Sequence, residues 1–245
     1  MDQTWIILGA SSTIAKAFTR SVAEDGATVI LAGRRIDDLT VTAADAHARG
    51  APNALPVMFD ARDPATFQPI LDLAAGQAGV INCAVFVGSM PPQDAIDADP
   101  AMVDGTIADS FTGPARFLTL LAPMLEDRES GVIVGVGSVA GDRGRLGNYV
   151  YGAAKAGFAT YLSGLRNRLG RKGVHVLTVK PGPVDTAMTQ ALGPQPFMTS
   201  PEAVVADIRK AVRKRRNVLY TKFIWWPLMT VIKLIPEAVF KKLSI

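Results

Sequence analysis

Three residues of the chain have the types and order needed for proton transfer at a carbonyl: Ser138, Tyr151 and Lys155. The apolar run Val132 to Val136 reads as a strand that delivers Ser138 at its carboxyl end. A glycine-rich turn follows, and then an alanine-rich helix carries Tyr151 and Lys155, four positions apart and therefore on one face. An ammonium beside a phenol favours the phenolate and lowers its pKa. A phenol tuned in this way exchanges a proton near neutral pH. The Ser138 hydroxyl would hydrogen-bond a carbonyl or alcohol oxygen, so the set suits carbonyl reduction or alcohol oxidation with a hydride carrier. Tyr149 stands six positions from Lys155 and falls on another face. A tyrosine and a lysine at this spacing are common by chance, so the company they keep decides the reading.

That company is a chain of alternating strands and helices. Trp5 to Leu8, Thr28 to Ala32, Leu55 to Phe59, Val80 to Val87, Val132 to Val136 and Val174 to Val179 read as buried strands. Helices are expected from the first turn to about Asp25, over Ile36 to Arg49, around Pro64 to Leu73, over Met102 to Leu125 with a bend near Gly113-Pro114, and through Tyr151. Gly88 to Pro100, rich in Pro and Asp, reads as a loop. The alternation predicts an α/β fold: a doubly wound parallel sheet of Rossmann type covered on both faces. With 245 residues, 49% of them apolar, and no internal repeat or linker, a single domain is expected. The dinucleotide-binding part is placed at residues 1–208, with a basic and apolar extension at 209–245.

Ligands of such sheets sit beyond the carboxyl ends of the strands. Six turns fall in that zone: Gly9 to Ala15, Gly33 to Arg35, Asp60-Ala61, Asn82 to Val85, Ser138, and Pro181 to Thr186. In the first, Gly9 is kept, while Thr13 and Ala15 stand where a dinucleotide loop carries its second and third glycines. Ser11, Ser12 and Thr13 place hydroxyls at a helix N-terminus, where phosphate binds, and Ile14 follows them. Arg34 and Arg35 take the place of the acid that would bind a ribose 2′-hydroxyl. Guanidinium suits a 2′-phosphate, so NADP(H) is favoured over NAD(H). Asp60 either accepts from the adenine amine or caps the next helix.

From Gly9 to Thr186 the sequence resembles the short-chain dehydrogenase/reductase family of NAD(P)-dependent enzymes, on the Ser138, Tyr151, Lys155 set and on Pro181-Gly182-Pro183-Val184-Asp185-Thr186. The resemblance implies that Tyr151 is the general acid/base and that Lys155 lowers its pKa and binds the nicotinamide ribose. It implies that Ser138 positions the carbonyl and that Thr186 and the backbone near Val184 hold the carboxamide. The family's Asn-Asn-Ala-Gly is matched by Asn82-Cys83-Ala84-Val85, which puts Asn82 and Ala84 at the cofactor. The relay asparagine is matched by Ser110. Leu8 to Ala15, Gly141 to Lys155 and Ile235 to Ile245 are similar to the decaprenylphosphoryl-2-ketoribose reductases, which act on a keto-sugar carried by a polyprenyl phosphate. A homodimer or homotetramer, formed through the helices near 102–125 and 151–169, is implied by the same resemblance.

Charge is unevenly spread. From Arg209 onward there are ten Lys or Arg against one acid, Glu237; the remainder holds 16 basic and 21 acidic residues, a net of −5. Phe223 to Met229 and Val231 to Ile235 are apolar runs interrupted by Pro227 and Lys233, too short to span a bilayer. Basic residues beside Trp and aliphatics suit the interface of an anionic membrane; the same residues suit a cap over the substrate pocket or an oligomer contact. No recognition motif accompanies the charge, so nucleic acid is not expected as a partner. Arg143 and Arg145, between Ser138 and Tyr151, are placed at the substrate mouth, where they would contact a phosphate, face solvent or bridge subunits. Ala187 to Thr199 reads as a lid. His47 and His175 read as structural, no metal-ligand spacing is visible, and Cys83 reads as a packed residue near the cofactor floor. The lone cysteine permits no intrachain disulfide and no signal peptide is evident, so a cytoplasmic enzyme, peripheral on the membrane face, is expected.

The expected activity is NADPH-dependent reduction of a ketone on a lipid-linked or membrane-associated substrate. A soluble or carrier-bound ketone, or a non-catalytic nucleotide-binding scaffold, fits the same residues less fully.

Overall fold

A computed structural model of the chain describes residues 2–243 other than 191, 192 and 194. Its sheet has seven parallel strands: β1 (Gln3–Leu8), β2 (Thr28–Gly33), β3 (Ala54–Met58), β4 (Val80–Val85), β5 (Val132–Val136), β6 (His175–Lys180) and β7 (Val218–Tyr220). The order is β3-β2-β1-β4-β5-β6-β7. The strand direction of winding reverses between β1 and β4, which opens a crevice at their carboxyl ends.

Alternation along β1 accounts for the two-sided core. Trp5 and Ile7 face one apolar cluster, and Ile6 and Leu8 face the other. The first cluster is covered by α1 (Thr13–Glu24), α2 (Ile36–Ala48) and α9 (Pro201–Arg213). The second is covered by α3 (Phe67–Ala75), α6 (Gly113–Arg128) and α7 (Tyr149–Gly170). In α1 the buried residues Ala15, Phe18, Thr19, Val22 and Ala23 recur at helical spacing, and the Ser12 hydroxyl accepts from the Ala15 N–H at its start. Ala15, at the loop's third glycine position, is fully buried on the sheet, so a methyl fits where helix and strand meet.

Several expectations change. Residues 88–100 contain a helix, α4 (Gln93–Ala98). The expected long helix is α5 (Met102–Ile107), a π-helical turn over Ala108–Thr112, and α6. Pro114 has no N–H for the Ser110 carbonyl, and the wider turn accommodates that loss. The division at 208/209 falls inside α9, and β7 beyond it pairs with β6, so the sheet runs on to Tyr220. α9 itself starts with Ser200 capping the Ala203 N–H and Pro201 in the first turn. The Ala187–Thr199 segment holds α8 (Ala187–Gln190), and part of that expected lid, like Ser244 and Ile245, lies outside the described residues.

The extension forms α10 (Trp225–Leu234) and α11 (Glu237–Phe240). Trp225 and Met229, one turn apart, are buried against Val139. The opposite face shows Trp226, Val231 and Leu234, with Phe223 stacked on Trp226 just before it. One side of the helix is therefore packed against the turn after β5 and the other is exposed. Among the described residues no helix is long and apolar enough to cross a membrane.

Candidate active site

Close backbone approach sets the distance between Ser138 and the tyrosine helix. A 3-10 turn (Val139–Asp142) follows β5 and lies on α7. A Cβ on Gly141 would stand 2.7 Å from the Ala156 nitrogen, and one on Gly152 would stand 2.8 Å from the Ala140 oxygen. Those two glycines let the turn and the helix touch. The Val139 N–H donates to the Pro181 carbonyl at 3.0 Å, which ties the turn after β5 to the turn after β6.

Ser138, Tyr151 and Lys155 share the wall of one cavity of about 540 Å³. Tyr151 and Lys155 are buried, at 7% and 4% exposure. The Ser138 hydroxyl accepts from the Ala140 N–H at 3.1 Å and lies on the cavity wall with the Tyr151 phenol. The Lys155 ammonium donates to the carbonyls of Val136 (3.0 Å) and Val87 (3.2 Å), and stands 5.8 Å from the Tyr151 ring centre. Burial pushes the Tyr151 pKa up to about 12, against the smaller opposing effect of Ser138. Burial also draws the Lys155 pKa down to about 8. The expected lowering of the tyrosine by the lysine is not seen: burial raises the phenol, and the ammonium points at the carbonyls of Val136 and Val87. The set as built is a hydroxyl pair that donates protons beside a cation close to its titration point.

The cavity runs from the first turn to the extension. Gly9, Ser11, Ser12, Thr13 and Ile14 line it, as do Arg34, Arg35, Asp60 and Ala61. Gly9 has φ +77° and lies against the Phe86–Val87 backbone, where a Cβ would be 3.1 Å away. The first turn of α1 carries no acid, so its free N–H groups and three hydroxyls face the cavity without a competing carboxylate. Arg34 has no ion pair among the described residues, whereas Arg35 pairs with Asp38 at 2.6 Å. Asp60 accepts from the Arg62 N–H at 2.9 Å, and the helix cap there is Asp63. Pro181, Gly182, Val184 and Thr186 line the far end. These residues fit a dinucleotide: donors for its phosphates, a cation at the end of β2, and a turn after β6.

Three site assignments are corrected. Asn82 and Ala84 lie within β4 and are buried away from the cavity; Asn82 accepts from the Val132 N–H at 2.9 Å and so staples β4 to β5. The wall beyond β4 is Phe86, Val87 and Gly88, and a Cβ on Gly88 would lie 3.1 Å from the Lys155 Nζ. Ser110 sits in the π-helical turn, where its hydroxyl exchanges hydrogen bonds with both backbone groups of Ser89, at 3.2 Å each, and leaves the cavity wall to Asp109. Arg143 does not face the mouth. Its guanidinium donates to the carbonyls of Ile232 (2.7 Å), Lys233 (3.2 Å) and Ile235 (2.6 Å), pairs with Glu237 at 2.9 Å, and covers the Phe240 ring at 3.8 Å. Cys83 is likewise a core residue of β4, its thiol pushed up by burial. Tyr149 bonds Asp97, as its separate face requires.

Sequence reasoning missed Asp109 and Asn148, whereas Trp225 belongs to the run expected either to cap the pocket, to meet a membrane or to join an oligomer. Asp109 takes two bonds of 2.8 Å from Arg62, 47 residues away, and fixes the Asp60 turn against the π turn. Trp225 lies against Gly182, where any Cβ would overlap its indole, and meets Phe197 edge to face at 5.9 Å. Among the described residues no group of His, Cys, Asp or Glu forms a metal site.

The model of the short chain dehydrogenase family matches residues 3–196. An uncharacterized oxidoreductase of Mycobacterium tuberculosis is 33% identical over 239 residues, spanning 97% of this chain and 96% of that protein. One of Myxococcus xanthus is 31% identical over 214 residues, spanning 86% and 83%. Among solved structures, a short-chain dehydrogenase from Sphingobium yanoikuyae in complex with NADPH has a TM-score of 0.83 at 21% identity, covering 97% of this chain and 98% of that one. A short chain dehydrogenase from Burkholderia cenocepacia in complex with NADP has a TM-score of 0.85 at 18% identity, covering 100% and 98%. A crevice built from these turns, matched along four fifths of its length and shared by relatives of equal span, places the chain among the short-chain dehydrogenases, NAD(P)-dependent oxidoreductases.

Proposed function

We propose that the protein is an NADPH-dependent ketoreductase that forms a secondary alcohol with Ser138, Tyr151 and Lys155, on a substrate held at a membrane. The carrying observation is the shared wall: Ser138, Tyr151 and Lys155 line one cavity together. The turns after β1, β2 and β6 would hold NADPH, which when bound would supply the hydride for the carbonyl carbon and leave as NADP⁺. Ser138 holds the carbonyl oxygen, Tyr151 gives it a proton, and solvent restores that proton to Tyr151. Lys155 keeps positive charge beside the oxygen that gains electrons.

Arg34, which has no ion pair among the described residues and stands at the end of β2, supports NADPH over NADH. Arg34→Ala is expected to weaken NADPH by roughly tenfold or more and NADH much less, since charge-assisted bonds to phosphate are the strong ones. Equal losses for both in a fluorescence titration would reject the 2′-phosphate contact.

The extension supports the membrane. Trp225 faces the cavity while Phe223, Trp226, Val231 and Leu234 are exposed, and Lys222, Lys233, Lys241 and Lys242 of the same segment are exposed too. Aromatic and aliphatic groups in a segment that also exposes lysines complement an anionic bilayer. A keto-sugar on a polyprenyl phosphate is one substrate of this kind. NADPH deuterated at the transferable position, incubated with the protein and a total lipid extract, is expected to place one deuterium in a lipid. Label confined to soluble ketones would remove the membrane from the reading, and label nowhere would reject the reductase.

A further inference from the structure

Two arginines leave the turn between Ser138 and Tyr151, and their surroundings differ. Arg143 spends its donors on residues 232–237. Arg145 lines the cavity with Ser138 and Tyr151, and its buried Nε has no hydrogen-bond partner. Among the described residues its guanidinium has no ion pair either. The nearest acid, Asp142, is committed to Lys180 and to the Tyr220 hydroxyl at 2.7 Å. The Asn148 side-chain oxygen, also on the cavity wall, is buried without a partner.

A guanidinium keeps its charge under any ordinary condition, so burial cannot be relieved by loss of a proton. A buried cation without a counter-charge is costly, and such cations are paired in finished sites. Desolvation of Arg145 is already evident in its lowered pKa, which Asp142 offsets only in part. The 2′-phosphate of the cofactor is not its partner: Arg34 serves the turn after β2, while Arg145 belongs to the turn that carries Ser138, at the substrate end.

We infer that Arg145 is the anion receptor of the substrate pocket, so that the ketone bound at Ser138 and Tyr151 carries a phosphate or carboxylate close to its carbonyl. Asn148 beside it accepts from a hydroxyl of the same molecule. The inference rests on the reductase reading for the position of the ketone, and the binding of an anion can be measured without turnover.

The test is calorimetric titration of phenyl phosphate, benzoate and benzyl alcohol into the full-length protein saturated with NADP⁺. Wild type is expected to bind an anion and not the alcohol, and Arg145→Gln to lose roughly tenfold or more in affinity, the scale of a charged hydrogen bond. Arg145→Lys, which keeps the charge without the fork, is expected to fall between them and covers the case in which the Gln variant does not fold. Tighter phenyl phosphate names the phosphate ester, and tighter benzoate the carboxylate. No anion binding by wild type, or equal affinity in wild type and both variants, would overturn the inference. In parallel, the ratio of kcat/KM for dihydroxyacetone phosphate to that for dihydroxyacetone is expected to fall by roughly tenfold or more in Arg145→Gln. An unchanged ratio would also overturn it. Failure of every ketone to turn over, with Arg145-dependent anion binding intact, would reject the reductase and leave the anion receptor standing.

Discussion

Replacing Tyr151 by Phe is expected to lower ketone turnover by roughly 10²–10⁴-fold, the range for loss of a positioned general acid. The substitution deletes one hydroxyl and keeps the ring that packs at 7% exposure, so the fold and the α7 helix stay intact. NADPH affinity is expected to change by no more than a few-fold. The expected loss corresponds to about 3–5 kcal/mol of transition-state stabilisation, far beyond what one buried hydroxyl contributes to stability. Stopped-flow absorbance at the dihydronicotinamide band, with binding followed separately by fluorescence, checks both halves. A variant as active as wild type would remove Tyr151 from the mechanism.

Lys155 carries the second large effect, and its sign depends on pH. Tyr151 keeps its proton up to about 12, so the acid remains charged with its proton throughout the working range. Lys155 has a pKa near 8, and its positive charge is lost as pH rises through that value. Ketone reduction is therefore expected to be level below about pH 7 and to fall through about pH 8. Lys155→Met is expected to lower kcat/KM by roughly 10²–10³-fold and to abolish that limb, by analogy with removal of one charge-stabilising donor. A wild-type profile level to pH 10 would refute the role of the ammonium. Stability moves the other way. The lysine pKa is depressed in the folded protein, so between about pH 8 and the unfolded value of 10.5 the unfolded chain holds more protons and stability rises with pH. Below pH 8 the buried charge is a net cost, of the order of 3 kcal/mol at about 1.4 kcal/mol per pH unit. Lys155→Met is expected to melt higher than wild type at pH 7, and a lower melting temperature would show that the two carbonyl bonds outweigh desolvation.

The Ser138 strand, the tyrosine helix and the first turn were legible because each depends on neighbours close in sequence. An apolar run, a four-residue spacing and a capping serine are local signals, and all three stand where they were expected. The errors share a different cause. Asn82 was placed by matching letters to a family motif, yet β4 ends at Val85 and the cavity wall begins at Phe86. Ser110 was placed on a regular helix, and the π turn rotates it toward Ser89. β7 has three residues between a basic run and Thr221, too short to show a period, and gains its identity from pairing with β6. Arg62 and Asp109 meet across 47 residues, and nothing in either neighbourhood announces the other. Arg143 and Arg145 are both basic, both near the catalytic turn, and indistinguishable until residues 232–240 are seen to claim only the first.

Order of synthesis gives the Arg143 contacts a further meaning. Strands β1 to β5 and the three chemical residues leave the ribosome long before the acceptors of Arg143, which lie 89 to 94 residues downstream. The turn beside Ser138 is thus fastened by a segment that follows every strand of the sheet. Trp225, which closes the cavity over Gly182, arrives with that same segment. The residues that fasten the turn beside Ser138 and the indole that closes the cavity thus belong to one segment, so a change there reaches the pocket from two sides at once.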